Sequence, residues 1–280
     1  MTPKILLQYV LPHRFLSRVV YYATRWTWRP WKNFLITQVV RRYQVNMEEA
    51  VQSDPLAYAH FNAFFTRELR DGARTAPTDP DAIACPADGR ISQAGRIREG
   101  RILQAKGQDF TVAELLADEE AAARYRDGHF VTIYLSPRDY HRVHMPLSGT
   151  LRQTTHIPGR IFSVAPAAVA DIPRLFARNE RLACHFQGEH GPFAVIMVGA
   201  MLVSSISTVW DGLVAPPYAS AITHRDDFEY AAPLPRASQM GRFNMGSTVI
   251  VLLPPEARLE PFQTEQHVQM GQRLGTFPAP

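Results

Sequence analysis

A chain of 280 residues, 46% hydrophobic and 20% charged, can bury a core that needs no covalent staples, and 16 glycines with 22 prolines are too few for a disordered or collagen-like chain. Its two cysteines, Cys85 and Cys184, exclude a disulfide framework and a cysteine zinc ribbon and favour a reducing compartment. The net charge of +4 is uneven, because residues 1–47 hold eight cations (Lys4, Arg14, Arg18, Arg25, Arg29, Lys32, Arg41, Arg42) and no Asp or Glu, which leaves 22 basic against 26 acidic residues in the remainder.

In chain order, the first apolar run, Ile5 to Leu11, is interrupted by Gln8, closed by Pro12 and lacks a small-residue cleavage site, so it reads as neither a signal peptide nor a span. The first 45 residues read as two amphipathic helices broken at Pro30. One carries the stripe Leu16, Val19, Val20 and the other Trp31, Phe34, Leu35, Val39. A basic arm binds nucleic acid or anionic membrane. Trp26, Trp28, Trp31 and several tyrosines among these cations favour the membrane headgroup interface and argue against nucleic acid. Residues 1–47 are therefore expected to form membrane-surface helices in front of a body spanning 48–280.

A third helix is expected from Asp54-Pro55, burying Phe61, Phe64, Phe65 and Leu69, before a Pro/Asp loop over 72–80. Beyond Ile83 the pattern turns to short strands, interrupted by one helix that opens on the capping box Thr111-Val-Ala-Glu114 and stops near Gly128. Strands are expected at His129–Leu135, Arg181–Phe186, Phe193–Val198, Met201–Val209 and Thr248–Leu253. The uncharged run Gly191–Trp210 is long enough to span a bilayer, but its Pro, Gly, Ser and Thr content and its Val and Ile fit two buried strands better. Residues 216–235 read as a polar, mobile loop. The expected fold is α+β, a mainly antiparallel β core domain with amphipathic N-terminal helices.

Three stretches could carry chemistry. Asp88 stands in a tight turn, Cys85-Pro-Ala-Asp88-Gly89, where a purely structural role is the simplest reading. Ser136-Pro-Arg-Asp139-Tyr-His141-Arg-Val-His144-Met-Pro146 places two histidines three apart; with no HExxH and no third ligand the pattern suits acid–base work better than zinc. Met240-Gly-Arg-Phe-Asn-Met-Gly246-Ser247-Thr248 runs into a strand, without the GxSxG elbow of hydrolases.

Taken together with Pro86 to Gly89, Ile102-Leu-Gln-Ala-Lys-Gly107, Leu175-Phe-Ala-Arg-Asn-Glu-Arg181 and Thr208-Val-Trp210, these stretches give a chain that resembles the bacterial-type phosphatidylserine decarboxylase proenzymes over nearly its whole length. The resemblance implies that Ser247 attacks the carbonyl of Gly246, so that the precursor cleaves itself into a large chain, 1–246, and a small chain, 247–280. Ser247 would become a pyruvoyl group, the covalent cofactor, which forms a Schiff base with the substrate amine and draws electrons from the bond to the leaving carboxylate. A serine nucleophile needs a base, and the base an orienting carboxylate; by the family pattern these are His144 and Asp88, a charge relay for self-cleavage. His141 is the candidate proton donor after decarboxylation, and no metal is implied. The implied substrate is phosphatidylserine in an anionic membrane, the implied assembly a homodimer of the cleaved pair, and the implied place the cytoplasmic side of the cell membrane, held peripherally.

Two positions depart from the family pattern. Ala165 stands where Asn usually follows Pro158-Gly-Arg-Ile-Phe-Ser-Val164, and Gln239 stands where an acidic residue often precedes Met-Gly-Arg-Phe. Three alternatives have distinct signatures. A serine hydrolase using Ser247, His144 and Asp88 would stay intact, a pyruvoyl decarboxylase of a soluble amino acid would have no use for the basic N-terminus, and a non-enzymatic membrane module would show no cleavage.

Overall fold

A computed structural model describes residues 3–201, 205–215, 220–226, 233–244 and 247–278. Its helices, in order, are α1 (Pro3–Val10), α2 (His13–Ala23), α3 (Arg29–Tyr43), α4 (Phe61–Phe65), α5 (Val112–Leu116), α6 (Glu119–Ala123), α7 (Pro166–Asp171) and α8 (Leu175–Arg178). The strands begin with β1 (Ala82–Ala84), β2 (Gly89–Arg96), β3 (Arg101–Ala105), β4 (Gln108–Thr111), β5 (His129–Leu135), β6 (Arg142–His144), β7 (Gly149–Ile157), β8 (Arg181–Gly188) and β9 (Gly191–Val198). They continue with β10 (Ile206–Thr208), β11 (Gly212–Ala215), β12 (Thr223–Arg225), β13 (Gln239–Phe243), β14 (Ser247–Leu253), β15 (Arg258–Leu259), β16 (His267–Val268) and β17 (Arg273–Thr276).

The body is built on an eight-stranded sheet in the order β12-β7-β8-β9-β14-β5-β2-β16, antiparallel at every pairing. β14, all seven residues of which are buried, lies near its middle between β9 and β5. Both faces are covered, which is why Val195 to Val198 and Val249 to Leu253 are continuous apolar runs rather than alternating ones. On one face Ile196, Ile250 and Leu252 pack with Phe110, Leu115, Phe162 and Phe176. On the other Val195, Val249 and Val251 pack with Met145, Met240 and Phe243 from a second, four-stranded sheet, β11-β10-β13-β6. That second sheet brings β6 and β13 beside the start of β14. The expected α+β class with a mainly antiparallel core and N-terminal helices is the observed one.

Local breaks differ from expectation for identifiable reasons. The N-terminus forms three helices, with the break at Pro12; Pro30 falls in the first turn of α3, where its missing N–H costs nothing. The segment opening at Asp54-Pro55 makes only a 3₁₀ turn, Pro55–Ala57, with Leu56 N bonded to Asp54 Oδ1 at 2.9 Å, and α4 starts afresh from a His60 cap. The Thr111–Glu114 capping box is present, but Ala117 adopts φ 54° and ends α5, and Asp118 caps α6. Gly191–Trp210 contributes two strands, β9 and β10, with residues 202–204 outside the described ones. Among the described residues no helix is long and apolar enough to cross a membrane. Within 216–235, Thr223–Arg225 pairs as β12 with β7 and Leu234 bridges Gly149, so the described part is not an irregular loop.

Candidate active site

β5 ends at Leu135, and the turn beyond it is closed by Asp139, whose Oδ2 accepts from Ser136 N at 2.7 Å and Ser136 Oγ at 2.6 Å. The Asp139 carbonyl accepts from His141 Nδ1 at 2.8 Å. His141 is fully buried, its ring 4.0 Å from that of Phe65. Three residues on, at the end of β6, His144 Nδ1 donates to the Ala237 carbonyl at 2.8 Å and Nε2 meets the Tyr140 hydroxyl at 3.0 Å. A carbonyl can only accept, so both rings carry their proton on Nδ1 and, when neutral, a lone pair on Nε2.

Burial keeps them neutral. It pushes the pKa of His141 down to about 3, with Arg67 adding to the effect and the bond to Asp139 opposing it. Burial also lowers that of His144, with Arg142 adding to it, against the Ala237 hydrogen bond and the charge of Asp88. Tyr140, pushed up to about 12 chiefly by burial, keeps its proton and donates it to His144 Nε2. The Nε2 of His141 has no hydrogen-bond partner among the described residues.

Asp88 follows β1 in the loop that opens β2. Its Oδ1 accepts from Arg74 Nε at 3.0 Å and Met270 N at 2.8 Å, and its Oδ2 from Arg74 Nη2 at 2.5 Å. Arg74 also bonds Glu49 Oε2 at 2.7 Å. The same loop is tied to β6 by His144 N donating to the Pro86 carbonyl at 2.8 Å. Asp88 and His144 are thus neighbours through their backbones, while the bonds that orient the imidazole come from Ala237 and Tyr140.

Ser247 is the first residue of β14, opposite Leu135 of β5. Its Oγ is buried and has no hydrogen-bond partner among the described residues, and the same holds for Thr248 Oγ1. Met245 and Gly246, the residue expected before the cleaved bond, lie outside the described residues. Their flanks are fixed. Phe243 N donates to the His141 carbonyl at 3.0 Å, and Asn244 is buried, bonding Ser207 Oγ at 3.1 Å and accepting from Asn62 Nδ2 at 3.1 Å. His141, the end of β13 and the start of β14 therefore meet in one corner, but no hydrogen bond joins Ser247 Oγ to His144 or His141.

Sequence reasoning missed Arg74, Tyr140 and Asn244. Tyr140 and Asn244 lie inside stretches already singled out; Arg74 lies in a Pro/Asp loop without periodicity and had no signal. Both departures find local substitutes. Gln239 sits opposite His144 and its Oε1 accepts from Arg142 Nη1 at 2.9 Å, the bond an acid would take. Ala165 caps α7 with no side-chain bond, and Ala165 N turns instead to Ser163 Oγ at 3.3 Å.

The N-terminal helices are inverted relative to a soluble apron. They bury the polar residues Gln8, His13, Ser17 and Lys32 and expose Leu6, Leu7, Val10, Phe15, Val19, Tyr22 and Phe34. Gln8 Oε1 accepts from Ser163 N at 2.9 Å, and Lys32 Nζ donates to the Leu56 carbonyl at 2.7 Å, so Lys32 faces the body. Trp26 and Trp28 are about half exposed (55% and 54%), their rings 5.3 Å apart, and Trp31 and Phe34 extend the cluster.

Comparison with known proteins agrees with this arrangement. The family model for phosphatidylserine decarboxylase matches residues 61–276, and a second, described as PSD, matches residues 3–44. A phosphatidylserine decarboxylase proenzyme of Xanthomonas euvesicatoria pv. vesicatoria is 56% identical over 273 residues, 96% of each chain. One of Stenotrophomonas maltophilia is 55% identical over 278 residues, again 96% of each. With matches of this extent at both ends of the chain and the histidine, serine and strand arrangement between them, the protein belongs to the phosphatidylserine decarboxylase family.

Proposed function

We propose that this chain converts phosphatidylserine to phosphatidylethanolamine and carbon dioxide, using a pyruvoyl group made from Ser247 by self-cleavage after Gly246. The observation that carries the reading is Ser247 Oγ, a buried hydroxyl without a partner among the described residues at the head of a central strand, in a family whose relatives are named proenzymes. Buried hydroxyls are ordinarily satisfied. A ketone at this position has no proton to place, so the surroundings of Ser247 fit the product better than the serine.

In the proposed cleavage, Ser247 Oγ loses its proton and attacks the Gly246 carbonyl, and the amide becomes an ester as the nitrogen of Ser247 takes up the proton. Elimination of the Gly246 carboxylate leaves a dehydroalanine, and water replaces its nitrogen, released as ammonia, to leave the ketone. His144 is the base. Its neutral state and its Nδ1 bond to Ala237 aim the Nε2 lone pair, which is released when Tyr140 turns away. Asp88 acts on His144 by its charge and by the position of its loop.

When formed, the pyruvoyl ketone condenses with the substrate amine and withdraws electrons from the bond to the carboxylate. His141, whose Nε2 has no partner among the described residues, is the group that returns a proton to carbon after carbon dioxide leaves.

Residues 1–47 serve as the membrane-surface apron, the body being 48–280. A helix that buries its polar side and exposes Phe15, Val19 and Tyr22 is matched to lipid, and exposed Arg14, Arg18 and Arg29 suit the anionic cytoplasmic leaflet, each cation adding about 1 kcal/mol of attraction.

Intact mass under denaturing conditions tests the chemistry. Wild type is expected as two fragments divided at Gly246/Ser247, the smaller lighter by one ammonia than a serine-started peptide, and Ser247→Ala as one uncleaved, inactive chain. A single-chain wild type active on phosphatidylserine would sink the mechanism.

A further inference from the structure

We propose that the cavity between the end of α2 and the β10–β13 pair holds the phosphodiester of the lipid headgroup, with Arg242 as its principal ligand; this rests on the decarboxylase reading above and adds the residue that recognises the part of the substrate that does not react. The cavity has a volume of about 510 Å³. Tyr21, Arg25 and His60 wall it on the side of the N-terminal helices and Gln239, Arg242 and Asn244 on the side of the sheet, and none of its described lining residues is acidic.

The cations in and beside it are not equivalent. Arg142, the strand neighbour of Arg242 and outside the lining, is neutralised by Glu68 at 2.9 Å and bonds Gln239 and the Thr66 carbonyl. Arg25 is pinned to the wall, its guanidinium 3.7 Å from the Tyr21 ring centroid and bonded to the Tyr21 carbonyl at 3.2 Å. Arg242 is half-buried and makes no hydrogen bond or ion pair with any described residue, although burial and the charge of Arg142 both press on it to lose its proton. A guanidinium keeps its charge under such pressure, and a fork of donors without an acceptor suits a tetrahedral anion.

The lining includes residues close in the chain to the reacting position and to the exposed tryptophans. Asn244 stands three positions before Ser247, where the reacting ketone would form. Arg25, on the side of the N-terminal helices, is followed in the chain by the exposed Trp26 and Trp28. Between a serine moiety and the glycerol of a phospholipid stands the phosphodiester, and the cavity that holds Arg242 is lined both by Asn244 and by Arg25. The reaction itself chooses the anion. Decarboxylation discharges the carboxylate, so a cation clamped on it would hold the ground state more tightly than the transition state. The charge of the phosphodiester is unchanged throughout, and a cation there binds substrate without slowing the chemistry.

The test combines kinetics with binding of glycerophosphocholine, which carries the phosphodiester but neither a carboxylate nor an amine able to react with a ketone. Purified wild type is expected to bind it, by calorimetry, more tightly than inorganic phosphate and far more tightly than free serine. Arg242→Gln should weaken that binding and raise KM for phosphatidylserine in mixed micelles by about ten- to hundredfold, with a smaller change in kcat, and Arg242→Lys should fall between. Leu213→Trp, a bulky change at the exposed rim of the cavity that touches no cation, should lower the same affinity and decides the matter if Arg242→Gln fails to fold or mature. Unchanged glycerophosphocholine affinity and KM in Arg242→Gln, or in Leu213→Trp where the former is not obtained, would overturn the proposal. So would inorganic phosphate binding as tightly as the diester. Arg242-dependent binding of glycerophosphocholine by a protein that releases no carbon dioxide from phosphatidylserine would leave this site standing and remove the decarboxylase reading.

Discussion

His141 and His144 stand three residues apart, hold the same tautomer against backbone carbonyls, and differ in what faces the other nitrogen. Tyr140 occupies that of His144, and nothing occupies that of His141. On the proposed mechanism the first is a base whose lone pair is held in reserve, while the second stands buried beside Phe65. Their proposed tasks therefore separate under mutation. His141→Phe, which preserves the packing on Phe65, should still yield the two fragments but lose at least about a hundredfold in decarboxylation rate. An uncleaved His141→Phe chain would show that the division of labour is wrong. At this scale the sequence made Ser247, the two histidines and Asp88 readable because each sits in a dense, distinctive stretch. It could not show that Asp88 is bound by Arg74 and the amide of Met270, since those partners lie 14 and 182 positions away and meet it only through folding.

Among the elements, the three N-terminal helices carry the clearest inversion of ordinary packing. α2 turns His13 and Ser17 inward, and α3 turns Lys32 and Ile36 inward, while Val19 of the apolar stripe read in α2 is left outside. Periodicity finds a stripe; it does not tell which medium the stripe faces. Nor does a proline announce which side of a break it occupies, which is why Pro30 opens a helix where it was expected to end one. Trp26→Ala with Trp28→Ala should weaken binding to phosphatidylserine-containing vesicles about tenfold or more, with little change on raising salt. Replacing Arg14, Arg18 and Arg29 should weaken it in a salt-dependent way. A tryptophan pair whose removal leaves vesicle binding intact would place the lipid contact elsewhere.

For the molecule as a whole, buried histidines set the response to acid. Burial lowers the pKa of His141 to about 3 and that of His185 to about 4, and lowers that of His144 as well. The unfolded chain, with histidines near 6.5, then binds more protons than the folded one as pH drops below that value. This stability is complete above about pH 6.5 and is lost progressively toward pH 3 to 4. The urea midpoint should accordingly fall between pH 7.5 and pH 5, before most carboxylates titrate; a midpoint that rose over that interval would contradict the burial of these rings. The global fold was legible in outline because β5, β8, β9 and β14 are apolar enough to be recognised singly. Their order in the sheet was not, since it pairs strands separated by more than a hundred residues, such as β5 with β14.

That pairing has a last consequence under the proposed self-cleavage. The small chain would begin with the innermost part of the sheet, and β16 and β17 would stitch its remainder to β2 and β1. Two polypeptides would share one core so thoroughly that neither has a complete fold of its own. The precursor carries both halves as one molecule and finds its structure by a unimolecular search; the mature protein, once unravelled, would have to find its missing half by collision. Maturation on this reading is a one-way ratchet, and the protein assembles itself only before it becomes active.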